Sequence, residues 1–230
     1  MSVNTNHPKY KEFILNEIKT LGFIRKQTYL ADNFDLVSKA ETFFSGFQGI
    51  KNRHIGSKDF IFECELEMIV EGKPRRILLG ANVRASFSMV SYMLAICESD
   101  KDNLNLIRKF HFDYALPRKG ESDKPIYHLQ YGGEDSNFLV EKEISVDHLY
   151  PKVSSPRILC MPINLALVLD MIFCEFSSER TAKIIANPEW KKFIKTNESF
   201  ILEPFFTRVK EFIGNEHSSS RLLRDFCYGR

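Results

Sequence analysis

The chain has 230 residues, 43% of them hydrophobic and 27% charged, with 20 phenylalanines. That supply of apolar side chains is enough for a packed core and excludes a disordered chain. Lys and Arg total 32 against 30 Asp and Glu, a net charge of +2, which excludes a surface built throughout to hold a polyanion but not a local basic patch.

Residues Met1 to Tyr10 show no basic start followed by an apolar run, so no secretory signal is expected. From Pro8 to Leu21, Tyr10, Phe13, Ile14, Ile18 and Leu21 recur at helical spacing, with Pro8 suited to a first turn and Gly22 to an ending. A second helix is expected from Asp32 to Phe44. At Lys58 the period changes to two: Phe60, Phe62, Cys64, Leu66, Met68 and Val70 share one face, and Glu63, Glu65 and Glu67 the other. This predicts a half-buried strand whose carboxylate row is a solvated face. Glu71-Gly72-Lys73-Pro74 forms a turn, and Arg75 to Asn82 returns as a second strand.

Ser86 to Glu98 predicts a third strand, with a short helix over Met89 to Ile96 as the alternative. Leu104 to Tyr114 and Pro125 to Tyr131 then predict an antiparallel pair, and Phe138 to Ile144 a further strand. A helix starts near Pro162 and is apolar nearly all round to Phe176, the mark of a buried central helix. The run from Ile158 to Phe176 is interrupted by Pro162, Asn164, Asp170 and Glu175, too broken to span a bilayer. Ser178 caps a helix over Glu179 to Ala186, Asn187-Pro188-Glu189 begins another, and Glu203 to Ile213 forms a last one closing at Gly214. The sum is an α+β fold: a mostly antiparallel sheet of five or six strands, N-terminal helices, a central buried helix and a helical C-terminal region. Residues 1–176 are assigned to the α+β core domain and 177–230 to a helical extension packed on it.

The stretch from Leu106 to Tyr131 is the one that looks like a site. Alternation puts Leu106, Phe110, Phe112 and Tyr114 on one face and Lys109, His111 and Asp113 on the other. In the partner strand His128 and Gln130 share a face, opposite Tyr127, Leu129 and Tyr131. If the connection closes with Tyr114 facing Pro125, His111 lies across from His128 and Lys109 across from Gln130. A slip of two residues would keep the faces and change the partners. His111, His128 and Asp113 are the candidate catalytic residues, and Lys109, Gln130 and Tyr131 the candidate ligand-binding ones.

Two histidines in different protonation states can act as general acid and base, and with Lys109 to neutralise a phosphate they suit metal-independent RNA cleavage. As three ligands, His111, Asp113 and His128 could instead hold a catalytic metal. The competing explanation is a structural polar network on a sheet face, and it is favoured in the absence of any metalloprotease, phosphate-loop or zinc-knuckle motif. No cofactor is expected.

The five cysteines are widely spaced with no C-x-x-C pair and read as reduced core thiols in a cytosolic protein. Cys160 stands just before the helix expected at Pro162, where amide dipoles could favour a thiolate nucleophile, although burial as a small apolar residue is the stronger reading. Lys73, Arg75 and Arg76, and Lys191, Lys192 and Lys195, are short basic clusters on solvated surface.

The string His111-Phe112-Asp113-Tyr114, then Pro125-Ile126-Tyr127-His128-Leu129-Gln130, then Pro156-Arg157-Ile158 before a long apolar helix, resembles a pattern in bacterial proteins associated with mobile elements and phage defence. The resemblance spans residues 111–176 and brings no catalytic residue with it. It implies an intracellular bacterial accessory or defence-type protein whose His/Asp/His/Gln face meets a partner, another protein or alternatively RNA, with no membrane involved. The enzyme classes above are the alternative, and a third is an interaction module using its helical end, Glu203 to Tyr228.

Overall fold

The structure, a computed structural model, describes residues 60–70, 72–83, 89–100, 103–115, 126–132, 145–146 and 157–214, with scattered positions between Phe13 and Lys26. The expected helix over 32–44 and strand over 138–144 lie outside the described residues, as does most of Glu203 to Tyr228 beyond Gly214.

The α+β expectation holds. Strands β1 (Phe60–Val70), β2 (Lys73–Val83), β3 (Met89–Asp100), β4 (Asn103–Ala115), β5 (Tyr127–Tyr131), β6 (Ser145–Val146) and β7 (Arg157–Leu159) form one sheet. Its order is β1-β2-β3-β4-β5-β7, antiparallel throughout, and β6 pairs with β4 in parallel. β4 accepts both β5 and β6 along one edge because they take different lengths of it, Phe110 to Tyr114 and Asn105 to Leu106 respectively. The β1–β2 turn rests on Gly72, whose φ of 75° is a conformation that glycine adopts without the steric cost of a Cβ.

Three helices follow, α1 (Leu165–Glu175), α2 (Glu179–Ala186) and α3 (Pro188–Ile213). Ser178 caps α2 in a reciprocal box with Thr181, and Asn187 accepts from the Glu189 amide at the start of α3 with Pro188 in the first turn. The separate helix expected from Glu203 does not occur, because α3 runs on through Pro204. Proline removes one intrahelical hydrogen bond, but the next residue, Phe205, packs edge-on against Tyr127 of β5 with ring centroids 5.8 Å apart. That contact holds the following turn against the sheet.

α1 lies on one face of the sheet. Leu165, Val168, Leu169, Ile172 and Phe173 close over Ile77, Leu79, Tyr92, Leu94 and Phe112. Trp190 joins this core, with Phe173 and Phe23 around its ring and its indole N–H donating to Asp170 at 2.7 Å. A second apolar cluster of Leu78, Met93, Ala95, Cys97 and Leu106 occupies the opposite face. Leu106 thus sits across the sheet from its expected neighbours Phe110 and Phe112. A bulge is the cause: Ile96 pairs with Arg108 and Cys97 with Leu106, leaving Ile107 without a partner on β3, so the alternation inverts.

The N-terminal segment is helical at Phe13, Asn16, Glu17, Lys19 and Thr20, as its spacing predicts, and is still helical at Gly22 and Phe23, past the expected end. Glu17 is fully buried. Its carboxyl accepts from the Tyr92 hydroxyl at 3.0 Å and from the Leu165 amide at 3.2 Å, tying three elements together at the start of α1. Beside it Asn164 caps the same helix and donates to Asn197 of α3 at 2.7 Å. Burial pushes the Glu17 carboxyl up to about 8, against the two hydrogen bonds that favour its charged form. No helix among the described residues is long and apolar enough to cross a membrane.

Candidate functional site

The predicted face exists, but with a different register. Tyr114 pairs with Tyr127, so β5 is shifted two residues from the expected closure. Asp113, and not His111, faces His128, while His111 faces Gln130. Lys109 lies beyond the end of β5, where its carbonyl accepts from the Gly132 amide at 2.9 Å. Gly132 takes a φ of 76° at that exit. The two-residue shift keeps the side chains from Lys109 to Tyr114 and from Tyr127 to Tyr131 on their predicted faces and changes only the pairings.

Two cross-strand rows result. The first runs Ser91–Asp113–His128 across β3, β4 and β5, and the second runs Met93–His111–Gln130–Arg157 and reaches β7. In the first row Asp113 is the hub: the Ser91 hydroxyl donates to one carboxylate oxygen, and the other lies 3.3 Å from His128 Nε2. The His128 side chain is 2% exposed and that of Asp113 18%. Burial acts to raise the Asp113 pKa, but the hydrogen bonds from His128 and Ser91 outweigh it and hold the carboxyl below its usual value.

In the second row Met93 is buried, and His111, Gln130 and Arg157 are half-buried. Burial drives the His111 imidazole down to about 4, Asp113 opposing and Lys109 and His128 adding to the shift. It is therefore neutral at physiological pH, able to accept a proton or a hydrogen bond on one nitrogen and donate from the other. Gln130 beside it offers an amide, and Arg157 at the strand edge a guanidinium. Lys109 is fully buried on the same face. Tyr131 belongs to the other face, as its alternation predicts, and its ring lies 5.3 Å from that of Phe110; it does not join the rows.

Two alternatives lose their geometry. Among the described residues no three His, Cys, Asp or Glu side chains are grouped so as to hold a metal ion; both Asp113 oxygens are already engaged and His111 is one row away. Cys160 is five residues short of α1, which begins at Leu165 behind its cap Asn164. Burial, followed by the negative charge of Asp113, pushes its thiol up to about 12, the opposite of what a thiolate nucleophile needs. Nor are all the cysteines core residues: Cys97 is buried, with its thiol raised to about 11 by burial, whereas Cys174 is exposed.

Sequence reasoning missed Ser91 and Arg157. Ser91 lies in a segment whose apolar run fits strand and helix alike, and β7 is three residues long, too short to display a period. Comparisons with known protein families, curated proteins and solved structures returned no match for this chain.

Proposed function

We propose that the protein is a binding module, an accessory or defence-type component, in which the His111–Gln130–Arg157 row recognises a phosphate-bearing ligand or partner and the Ser91–Asp113–His128 row holds that surface in place. The observation that carries this reading is the division of hydrogen bonding between the rows: Asp113, itself partly exposed, spends both oxygens on Ser91 and the buried His128, while His111, Gln130 and Arg157 lie side by side and partly exposed in the next row. A neutral imidazole, an amide and a guanidinium supply donors to phosphate oxygens, and the buried Lys109 adds positive charge behind them.

The second reading is acid–base cleavage of RNA, and one observation favours it. A neutral histidine stands one row from a carboxylate-oriented histidine, the parts such chemistry requires. Against it stands the burial of His128, which would have to reach the leaving group.

One experiment separates them. The purified protein is melted with and without pyrophosphate or a short single-stranded RNA, and the RNA is examined for cleavage. The binding reading expects a rise in melting temperature that Gln130→Ala and Arg157→Ala abolish, with the RNA intact. Cleavage that disappears in both His111→Ala and His128→Ala would establish the enzyme instead, and no stabilisation by either anion would remove the recognition role.

A further inference from the structure

The last turns of α3 carry two apolar stripes, and docking on the sheet needs only one of them. Helical geometry puts Ile201 and Phe212 with Phe205, whose ring meets that of Tyr127 on β5 at 5.8 Å. That stripe faces the body of the protein. The other runs Leu202, Phe206, Val209 and Ile213, spaced four, three and four residues apart, which is the spacing of a heptad seam. Phe206 is 49% exposed and Ile213 64%, with Leu202 and Val209 half-buried. Single exposed apolar residues are ordinary, but these share one face of one helix, its two exposed members one heptad apart.

The seam is complementary to itself when read in opposite directions. In an antiparallel pair Phe206 lies beside the partner's Val209 and Leu202 beside the partner's Ile213, and the twofold axis repeats both layers. Glu203 and Lys210 flank the seam on its solvent side, and both are exposed. Neither forms an ion pair among the described residues. The alignment that closes the apolar layers also brings Glu203 against the partner's Lys210, twice. A parallel pair would instead set Glu203 against the partner's Glu198 and Lys210 against the partner's Phe205. Charge also argues against a lipid surface: Glu203 and Glu211 balance Arg208 and Lys210, whereas helices that lie on anionic membranes carry a basic excess.

We infer that the chain forms a twofold dimer through α3, antiparallel across Leu202, Phe206, Val209 and Ile213, with two Glu203–Lys210 ion pairs along its flank. The inference does not depend on the reading of the histidine rows. So short a seam makes a small interface, and the dimer dissociates on dilution.

The test is sedimentation of the full chain between about 1 and 300 μM. The mass is expected to rise from 26.8 kDa towards twice that value. Phe206→Glu and Ile213→Glu alter exposed side chains and are expected to hold the protein at the monomer mass with the parent's melting temperature. Glu203→Lys and Lys210→Glu each set like charges face to face twice and are expected to weaken self-association about tenfold. An equimolar mixture of those two variants is expected to recover the parent's association, because every lysine then meets a glutamate across the seam. A parent at 26.8 kDa throughout, Phe206→Glu and Ile213→Glu associating as the parent does, or a mixture no better than its components would overturn the assignment. A parent that stays monomeric yet sediments with phosphatidylserine vesicles would overturn it in favour of a lipid surface.

Discussion

Asp113 is the residue on which the histidine face depends. Its carboxylate answers two donors from neighbouring strands, so removing it leaves a buried imidazole and a hydroxyl without their acceptor. Asp113→Ala should therefore lower the unfolding free energy by about 3 kcal/mol, measured by urea denaturation at neutral pH. Gln130→Ala, on the half-open row, should cost less than about 1 kcal/mol. Similar costs for the two substitutions would mean that the rows do not differ in role. The faces of these residues were legible in the sequence, because period-two alternation from Lys109 to Asp113 and from Ile126 to Gln130 fixes them whatever the pairing. The partners were not: the segment between β4 and β5 is long enough to allow several closures, and a shift of two residues leaves no trace in the pattern.

At the scale of elements, long amphipathic segments announced themselves and irregularities did not. The β1–β2 hairpin follows from alternation and Gly72, α2 from Ser178, and the start of α3 from Asn187-Pro188. The extra residue Ile107 inverts the faces of β4 at Leu106, yet one residue changes no periodicity enough to be read. β7 gains its strand character only by pairing with β5. Least visible was the junction of the N-terminal segment, β3 and α1 at Glu17, where a charged residue occupies a position that helical spacing marks only as internal. A glutamine there can accept from the Leu165 amide and donate to the Tyr92 oxygen without ionising. Glu17→Gln should thus preserve the fold and raise stability at pH 8, whereas Glu17→Leu, which leaves the Leu165 amide and the Tyr92 hydroxyl without an acceptor, should lower it at every pH by about 1–3 kcal/mol. Thermal melts at pH 6 and pH 8 distinguish these outcomes; a Gln variant less stable than the parent at pH 8 would show that the carboxylate, not the protonated acid, is the favoured form.

For the molecule as a whole, Glu17 and His111 act on stability in opposite directions. A carboxyl whose pKa rises from 4.5 to about 8 on folding binds its proton more tightly when folded, so its contribution is complete below about pH 4.5 and is lost as pH climbs to about 8. An imidazole whose pKa falls from 6.5 to about 4 penalises the folded state as pH drops through that interval. Each changes stability by at most about 1.4 kcal/mol per pH unit. The two cancel between about pH 4.5 and 6.5, and above that stability should decline by about 2 kcal/mol up to pH 8. His111→Gln should expose the Glu17 decline across the whole range, and Glu17→Gln the His111 rise below pH 6.5, as read from urea unfolding at stepped pH. The same neutral His111 underlies the proposed recognition row. The account is tested most directly by following the histidine side-chain signals in nuclear magnetic resonance during a titration with pyrophosphate at neutral pH. The prediction is that the His111 signals move and saturate while those of His128, held by Asp113 inside the sheet, stay in place; movement of His128 in step with His111, or no movement of His111, would contradict it.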